Sequence, residues 1–79
     1  TVLSFGTNSD GQLATNDLID RVSPTMIPSI SASNIESGFT FTFIIDKNNS
    51  LFSCGENRLG QCALGHFLFP IKTLQKVPA

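Results

Sequence analysis

Seventy-nine residues, 41% of them hydrophobic and 14% charged, describe one small globular unit or part of one, and not a disordered tail. Five basic and six acidic residues give a net charge of −1 with no run of either sign, so the chain offers no electrostatic footprint to nucleic acid or an anionic lipid surface. No apolar stretch reaches the roughly eighteen residues of a membrane span, no basic-then-apolar segment marks a signal peptide, and two cysteines are too few for a disulfide scaffold. A reducing intracellular setting, cytoplasmic or nuclear, is expected.

In chain order, Val2 to Phe5 is an apolar run closed by Gly6 and predicts a short buried strand. Thr25-Met26-Ile27 lies between Pro24 and Pro28, whose missing ladder donors suit an edge strand or a strand end. Asn34 to Ser37 predicts another strand, ended by Gly38. Phe39, Phe41 and Phe43 alternate with Thr40 and Thr42 and run into Ile44-Ile45, the two-residue period of a strand. Asparagine tolerates positive φ, so Lys47-Asn48-Asn49-Ser50 predicts a two-residue hairpin turn at Asn48-Asn49, returning the chain as Leu51 to Cys54 and closing at Gly55. Asn48-Asn49-Ser50 also fits the glycosylation acceptor pattern, but turn chemistry accounts for it. Ile71 to Val77 predicts the start of a further set of strands. No segment carries a 3.6-residue apolar stripe, and at most one helical turn fits near 11–15 or 60–64.

The chain contains one phrase twice. Gly6-Thr7-Asn8-Ser9-Asp10-Gly11-Gln12 returns forty-nine residues later as Gly55-Glu56-Asn57-Arg58-Leu59-Gly60-Gln61, and Ser4/Ser53 and Ala14/Ala63 match in the same register. Such a spacing predicts a propeller or another repeat array, in which each unit buries its apolar faces against its neighbours. One and a half copies are fewer than the roughly three that support themselves, and a chain this short buries only about 60% of its unfolded surface. It therefore reads as part of a longer array, completed by further repeats or other chains.

Four strands at 25–28, 33–37, 39–46 and 50–55 with short turns would make one antiparallel meander, which is the form of a propeller blade. On this reading residues 1–24 end one repeat and its inter-blade loop, 25–55 are a complete blade, and 56–79 begin the next. The chain resembles the regulator of chromosome condensation repeat. The resemblance rests on Leu51-Phe52-Ser53-Cys54-Gly55 with Asn57-x-x-Gly60-Gln61-Cys62, on Leu3-Ser4-Phe5-Gly6 with Asn8-x-x-Gly11-Gln12-Leu13, and on Ser23-Pro24-Thr25-Met26-Ile27-Pro28. Phe5 and Cys54 stand where that family usually has Trp. Ser-Pro-x-x-x-Pro has no clean second copy, and Phe69-Pro70 arrives about three residues early. The fold the resemblance implies is all-β, part of a seven-bladed β-propeller.

Gly6, Gly11, Gly38, Gly55 and Gly60 read as turn and strand-end residues. Asn8 and Asn57 are expected to bond their own backbone two residues on, as Asx turns. Gln12 and Gln61 are expected to satisfy backbone groups of an irregular inter-blade loop. For all of these a structural task outweighs ligand binding.

Cys54, Cys62 and His66 are three potential zinc ligands within thirteen residues, yet the thiols occupy core positions and structural zinc takes four ligands. Asn8, Asp10 and Asp17 imitate part of a calcium loop, but the second copy has Leu59 in place of Asp10. No cofactor is expected. The sequence has no nucleophile elbow, no phosphate loop with lysine and no His-Glu metal helix, so it predicts no enzyme. His66, the sole histidine, reads as a loop residue, and Phe39, Phe41 and Phe43 as core between blades.

The function these observations imply is a protein-interaction scaffold. The resemblance extends that to guanine-nucleotide exchange on the Ran GTPase or regulation of another small GTPase. The alternative is a regulatory propeller attached to a ubiquitin ligase or kinase domain, and a third reading is self-assembly through open end strands. Asp17, Asp20, Arg21, Arg58 and His66 differ between the copies and are the candidate partner contacts.

Overall fold

The computed structural model describes residues 2–27, 30–38, 40–66 and 68–78. Those residues form six strands: β1 Val2–Gly6, β2 Arg21–Ile27, β3 Ala32–Ser37, β4 Phe41–Asp46, β5 Leu51–Gly55 and β6 Ile71–Lys76. β1 and β2 pair as a two-stranded antiparallel sheet, and β3-β4-β5-β6 form a four-stranded antiparallel meander. The fold is all-β, and its four-stranded meander has the form of a propeller blade.

Residues directly opposite across an antiparallel ladder share a face. The pairs Ile35↔Ile44, Ile44↔Phe52 and Thr42↔Cys54 therefore put five side chains on one side of the meander. Glu36↔Phe43↔Ser53 and Ile45↔Leu51 set the other. The first side is the inner one. Ile44 and Cys54 pack there against Val2 and Ile27 of the two-stranded sheet and Ala14 of the loop between β1 and β2, with Ile30, Ala32, Ile71 and Leu74 around them. Burying a side chain such as Ile44 contributes about 1.5–3 kcal/mol, so a core of this size is thin.

The alternating Phe/Thr run is β4, and the hairpin with β5 forms from Ile45↔Leu51 to Phe41↔Gly55. Phe39 lies outside the described residues. The turn is one residue longer than expected. Asp46 N–H donates to the Ser50 carbonyl at 2.9 Å and Asn49 N–H to the Asp46 carbonyl at 3.0 Å, which closes a three-residue loop. Only Asn49 carries the positive φ, 64°. Asp46 Oδ1 accepts from the amides of Asn48 and Ser50, both at 2.9 Å, and holds the loop shut.

Two pairings differ from the sequence reading. Thr25 to Ile27 belong to β2, whose register Val2↔Ile27, Leu3↔Met26 and Ser4↔Thr25 ties it to β1, so it does not open the meander. β6 does not begin another set of strands: Ser53↔Gln75 and Gly55↔Ile71 make it the fourth strand of this one. The two corrections have one cause. In each copy the strand ending at Gly6 or Gly55 is followed by a long loop and then pairs with the strand that emerges from it. No local residue pattern announces that pairing. Gly6↔Arg21 against Gly55↔Ile71 gives the second copy one more residue in its loop, so in sequence Pro78 is the counterpart of Pro28.

No helical turn forms at 11–15 or 60–64. Each copy makes two successive turns instead: Gly11 N–H to the Asn8 carbonyl and Ala14 N–H to the Gly11 carbonyl, repeated as Gly60 to Asn57 and Ala63 to Gly60, all at 3.0–3.2 Å. Ala14 at φ 60° and Ala63 at φ 59° adopt the left-handed conformation in both copies. For alanine that conformation costs roughly 1–2 kcal/mol, so the surrounding contacts hold it.

Candidate functional site

The loops that join β1 to β2 and β5 to β6 carry the repeated phrase, and a buried asparagine organises each. Asn8 and Asn57 are fully buried. Asn8 Oδ1 accepts from the Leu13 amide at 3.0 Å, and Asn57 Oδ1 from the Cys62 amide at 3.1 Å. Asn8 Nδ2 donates to the carbonyls of Asp17 and Ile19 at 2.9 and 3.1 Å, and Asn57 Nδ2 to those of His66 and Leu68 at 2.9 and 3.0 Å. The expected two-residue Asx bond is thus replaced by bonds spanning five, nine and eleven residues. One amide satisfies polar groups on both arms of its loop, which is what lets so irregular a segment stay buried.

Three other repeated residues support the clamp. Ser4 and Ser53 hydroxyls donate to the carbonyls of Leu13 and Cys62 at 2.9 and 2.8 Å, tying each strand to its own loop. The sequence reading matched these serines but gave them no task. Gln12 and Gln61 are half-buried, and their Oε1 atoms accept from the amides two residues back, Asp10 and Leu59, both at 2.9 Å. Those Oε1 bonds are local to the turn, and Gln61 Nε2 also donates to Glu56 Oε1 at 3.1 Å. Gly11, at φ 79°, lies against β6: a Cβ there would come within 2.7 Å of the Ile71 carbonyl oxygen. Gly38 sits beneath the Phe41 ring, which a Cβ would meet at 2.9 Å.

The five residues singled out as partner contacts have distinct surroundings. Asp17 Oδ1 accepts from Thr15, Asn8 and the Ile19 amide, and its other oxygen pairs with Arg21. The Ile19 amide is the main cause that holds the Asp17 carboxyl below its ordinary range; desolvation opposes it, and Thr15 and Arg21 assist. Asp20 Oδ1 accepts from the Asn8 amide at 2.8 Å. His66 Nδ1 accepts from the Leu68 amide at 3.2 Å and faces Asn57 Nδ2 at 3.4 Å. Each of these four has a partner within the loops. Arg58 is exposed, with its guanidinium 4.4 Å from the centroid of the Phe69 ring. Leu59, Leu68 and Phe69 are exposed as well, apolar neighbours of Arg58 that the sequence does not mark as surface because such residues read as core.

The thiols are not brought together with His66 as a metal site. Cys54 Sγ faces the Gln12 carbonyl at 3.5 Å and Cys62 Sγ the Glu56 carbonyl at 3.4 Å, both buried. Burial pushes the Cys54 thiol up to about 12 and raises Cys62 as well. Among the described residues no three His, Cys, Asp or Glu side chains gather as a metal site. A cleft of about 490 Å³ between the sheets is lined by Ala14, Ile27, Ile30, Phe52 and Leu74, with Arg21 at its margin. Among the described residues Arg21 is the one ionisable side chain lining it. No helix among the described residues is long and apolar enough to cross a membrane.

Residues 32–61 match the profile of the Regulator of chromosome condensation (RCC1) repeat. That span takes in β3, β4, β5 and the loop as far as Gln61. The chain is also similar to an RCC1 repeat-containing protein of Schizosaccharomyces pombe, 39% identical over 62 residues, which is 77% of this chain and 18% of that relative's length. A repeated asparagine clamp, a four-stranded meander and these two matches lead to one assignment: residues 32–61 are a partial regulator of chromosome condensation (RCC1) repeat, preceded by the loop and strand pair that carry the first copy of its phrase.

Proposed function

We infer that this chain is a protein-interaction module whose contact surface is the end of the β5–β6 loop. The RCC1-type repeat supports a regulatory, binding role over a catalytic one. The observation that carries the reading is the arginine-centred patch: Arg58 stacked on Phe69, with Leu59 at 84% and Leu68 at 71% exposure beside it. The asparagine, serine and glycine of the loop are committed to holding its shape. Arg58 and Leu59 replace Ser9 and Asp10 of the first copy, so the fold does not dictate them.

Arginine with aromatic and leucine neighbours is the composition of an interface centre, where a guanidinium held by a ring reaches a partner carboxylate or carbonyl. A small GTPase, with nucleotide exchange as the outcome of binding, is the finer form of this proposal and the first partner to try. The test is binding of a Ran-type GTPase to the full-length protein and to its Arg58→Ala and Leu68→Ser variants, with exchange of a fluorescent nucleotide followed in parallel. Binding weakened about tenfold or more by each substitution, as expected for central contacts, with an unchanged melting point supports the reading. Unchanged binding in both variants refutes the patch. Binding without exchange leaves a scaffold and removes the exchange reading.

A further inference from the structure

His66 stands in the second loop where Asp17 stands in the first, forty-nine residues apart, and the two side chains make the same pair of contacts. Asp17 Oδ1 accepts from Asn8 Nδ2 at 2.9 Å and from the Ile19 amide at 3.1 Å. His66 Nδ1 lies 3.4 Å from Asn57 Nδ2 and accepts from the Leu68 amide at 3.2 Å. A backbone amide can only donate, so Nδ1 is the ring nitrogen without a hydrogen and the neutral ring carries its hydrogen on Nε2. The clamp is otherwise alike in both loops, with each asparagine Nδ2 donating to the carbonyls of the same two positions, 17 and 19 or 66 and 68. One loop end is therefore held by a carboxylate and the other by an imidazole.

The difference matters between about pH 8 and 5, where histidine ordinarily gains its proton. An imidazolium has a hydrogen on both nitrogens and accepts nothing. Protonation of His66 sets Nδ1–H against the Leu68 N–H and the Asn57 amide hydrogens, and both contacts become donor facing donor. The Asp17 carboxyl, held below its ordinary range by the Ile19 amide above all, keeps its charge and its bonds there. No neighbouring charge compensates at His66. β5 carries neither carboxylate nor cation, β6 carries Lys72 and Lys76, and the loop itself carries Glu56 and Arg58. Glu56 Oε1 accepts from Gln61 and Arg58 lies over Phe69, while Asp17–Arg21 is the one ion pair among the described residues. Ile71 takes the register place of Arg21 in the second copy. The Cys54 and Cys62 thiols, raised by burial, stay protonated through this range.

We propose that His66 is a pH-sensitive latch on the end of the β5–β6 loop: neutral, it holds Leu68 and with it the Phe69 ring against Arg58; protonated, it lets go and the patch comes apart. The consequence for partners, binding that weakens as the pH falls, rests on the arginine-centred patch being the contact surface as inferred above. The latch itself does not.

The test follows the Leu68 and Ile19 amides of the full-length protein by hydrogen exchange at about pH 7.5 and about pH 5.5, towards either end of the ordinary histidine range. Both amides are read in one sample, so the intrinsic pH dependence of exchange cancels in their ratio. Exchange of Leu68 relative to Ile19 should rise roughly tenfold or more at the lower pH, as for an amide that loses its partner. The ring-current shift that Phe69 imposes on the Arg58 side-chain protons should fade with it. His66→Asp, which installs the acceptor of the first loop, should keep the ratio low and the ring-current shift present at both pH values. His66→Gln, whose amide oxygen accepts without titrating, replaces that variant if it does not fold. His66→Ala should give the high ratio at both. An unchanged ratio in the wild type overturns the proposal, as does an equal rise in His66→Asp or a low ratio at both pH values in His66→Ala. Neither readout uses a partner, so failure of the latch is distinct from failure of the patch, which unchanged binding in Arg58→Ala and Leu68→Ser would show.

Discussion

Gly6 and Gly55 occupy the same place in the two copies and nearly the same conformation, φ 111° and 109°, yet they should respond differently to a side chain. Any L-residue at such a φ is strained by roughly 1–3 kcal/mol, and that cost is common to both. At Gly6 a Cβ meets nothing within 4 Å. At Gly55 it would lie 2.4 Å from the Thr40 carbonyl oxygen and 2.7 Å from the Phe41 Cα, backbone atoms of the neighbouring strand that cannot step aside as a side-chain end can. Overpacking of this kind adds about 1–3 kcal/mol. The expected difference between Gly55→Ala and Gly6→Ala is therefore about 1–3 kcal/mol, and in a domain of this size each kcal/mol moves the melting temperature by roughly 4–8 °C. Urea and thermal unfolding of the two variants read it. Equal losses would show that β4 does not approach Gly55 as described.

Asn57→Ala should cost about 3 kcal/mol or more, because it leaves the buried Cys62 amide and the His66 and Leu68 carbonyls without their partner. Asn57→Asp should not rescue it at neutral pH, since a carboxylate would face those carbonyls; denaturation midpoints check both. Ser53→Ala, which removes the buried bond to the Cys62 carbonyl, should cost about 1–2 kcal/mol. The raised Cys54 pKa has a pH consequence of definite sign: below about 9 the thiol is protonated in both states, whereas between 9 and about 12 the unfolded chain ionises it and the folded chain does not. Stability should fall by about 1.4 kcal/mol per pH unit in that window, and Cys54→Ser should flatten the fall. A disulfide-exchange reagent at pH 8 should label neither thiol in the native chain and both in urea.

The repeat was legible in the sequence because its residues are demanding ones. A glycine at positive φ and an asparagine that bonds both arms of a loop have few substitutes, so they recur at a fixed spacing. The β4–β5 hairpin was legible because its alternation and its turn are local. The partner of β2 was not: whether Thr25 to Ile27 joins β1 or β3 is decided by the loop from Thr7 to Asp20, which Asn8 folds back, and no residue of β2 records that decision. The one-residue difference between the loops hid the equivalence of Pro28 and Pro78 for the same reason. The loop-end patch escaped because Leu59, Leu68 and Phe69 look in sequence like core, and only their exposure beside Arg58 separates them from it.

Cross-strand nuclear Overhauser contacts measure directly which strands are neighbours. Contacts between Ser53 and Gln75 and between Ser4 and Thr25, with none between β2 and β3, are the predicted result. Contacts pairing Thr25 to Ile27 with Asn34 to Ser37, or their absence between β5 and β6, would contradict it.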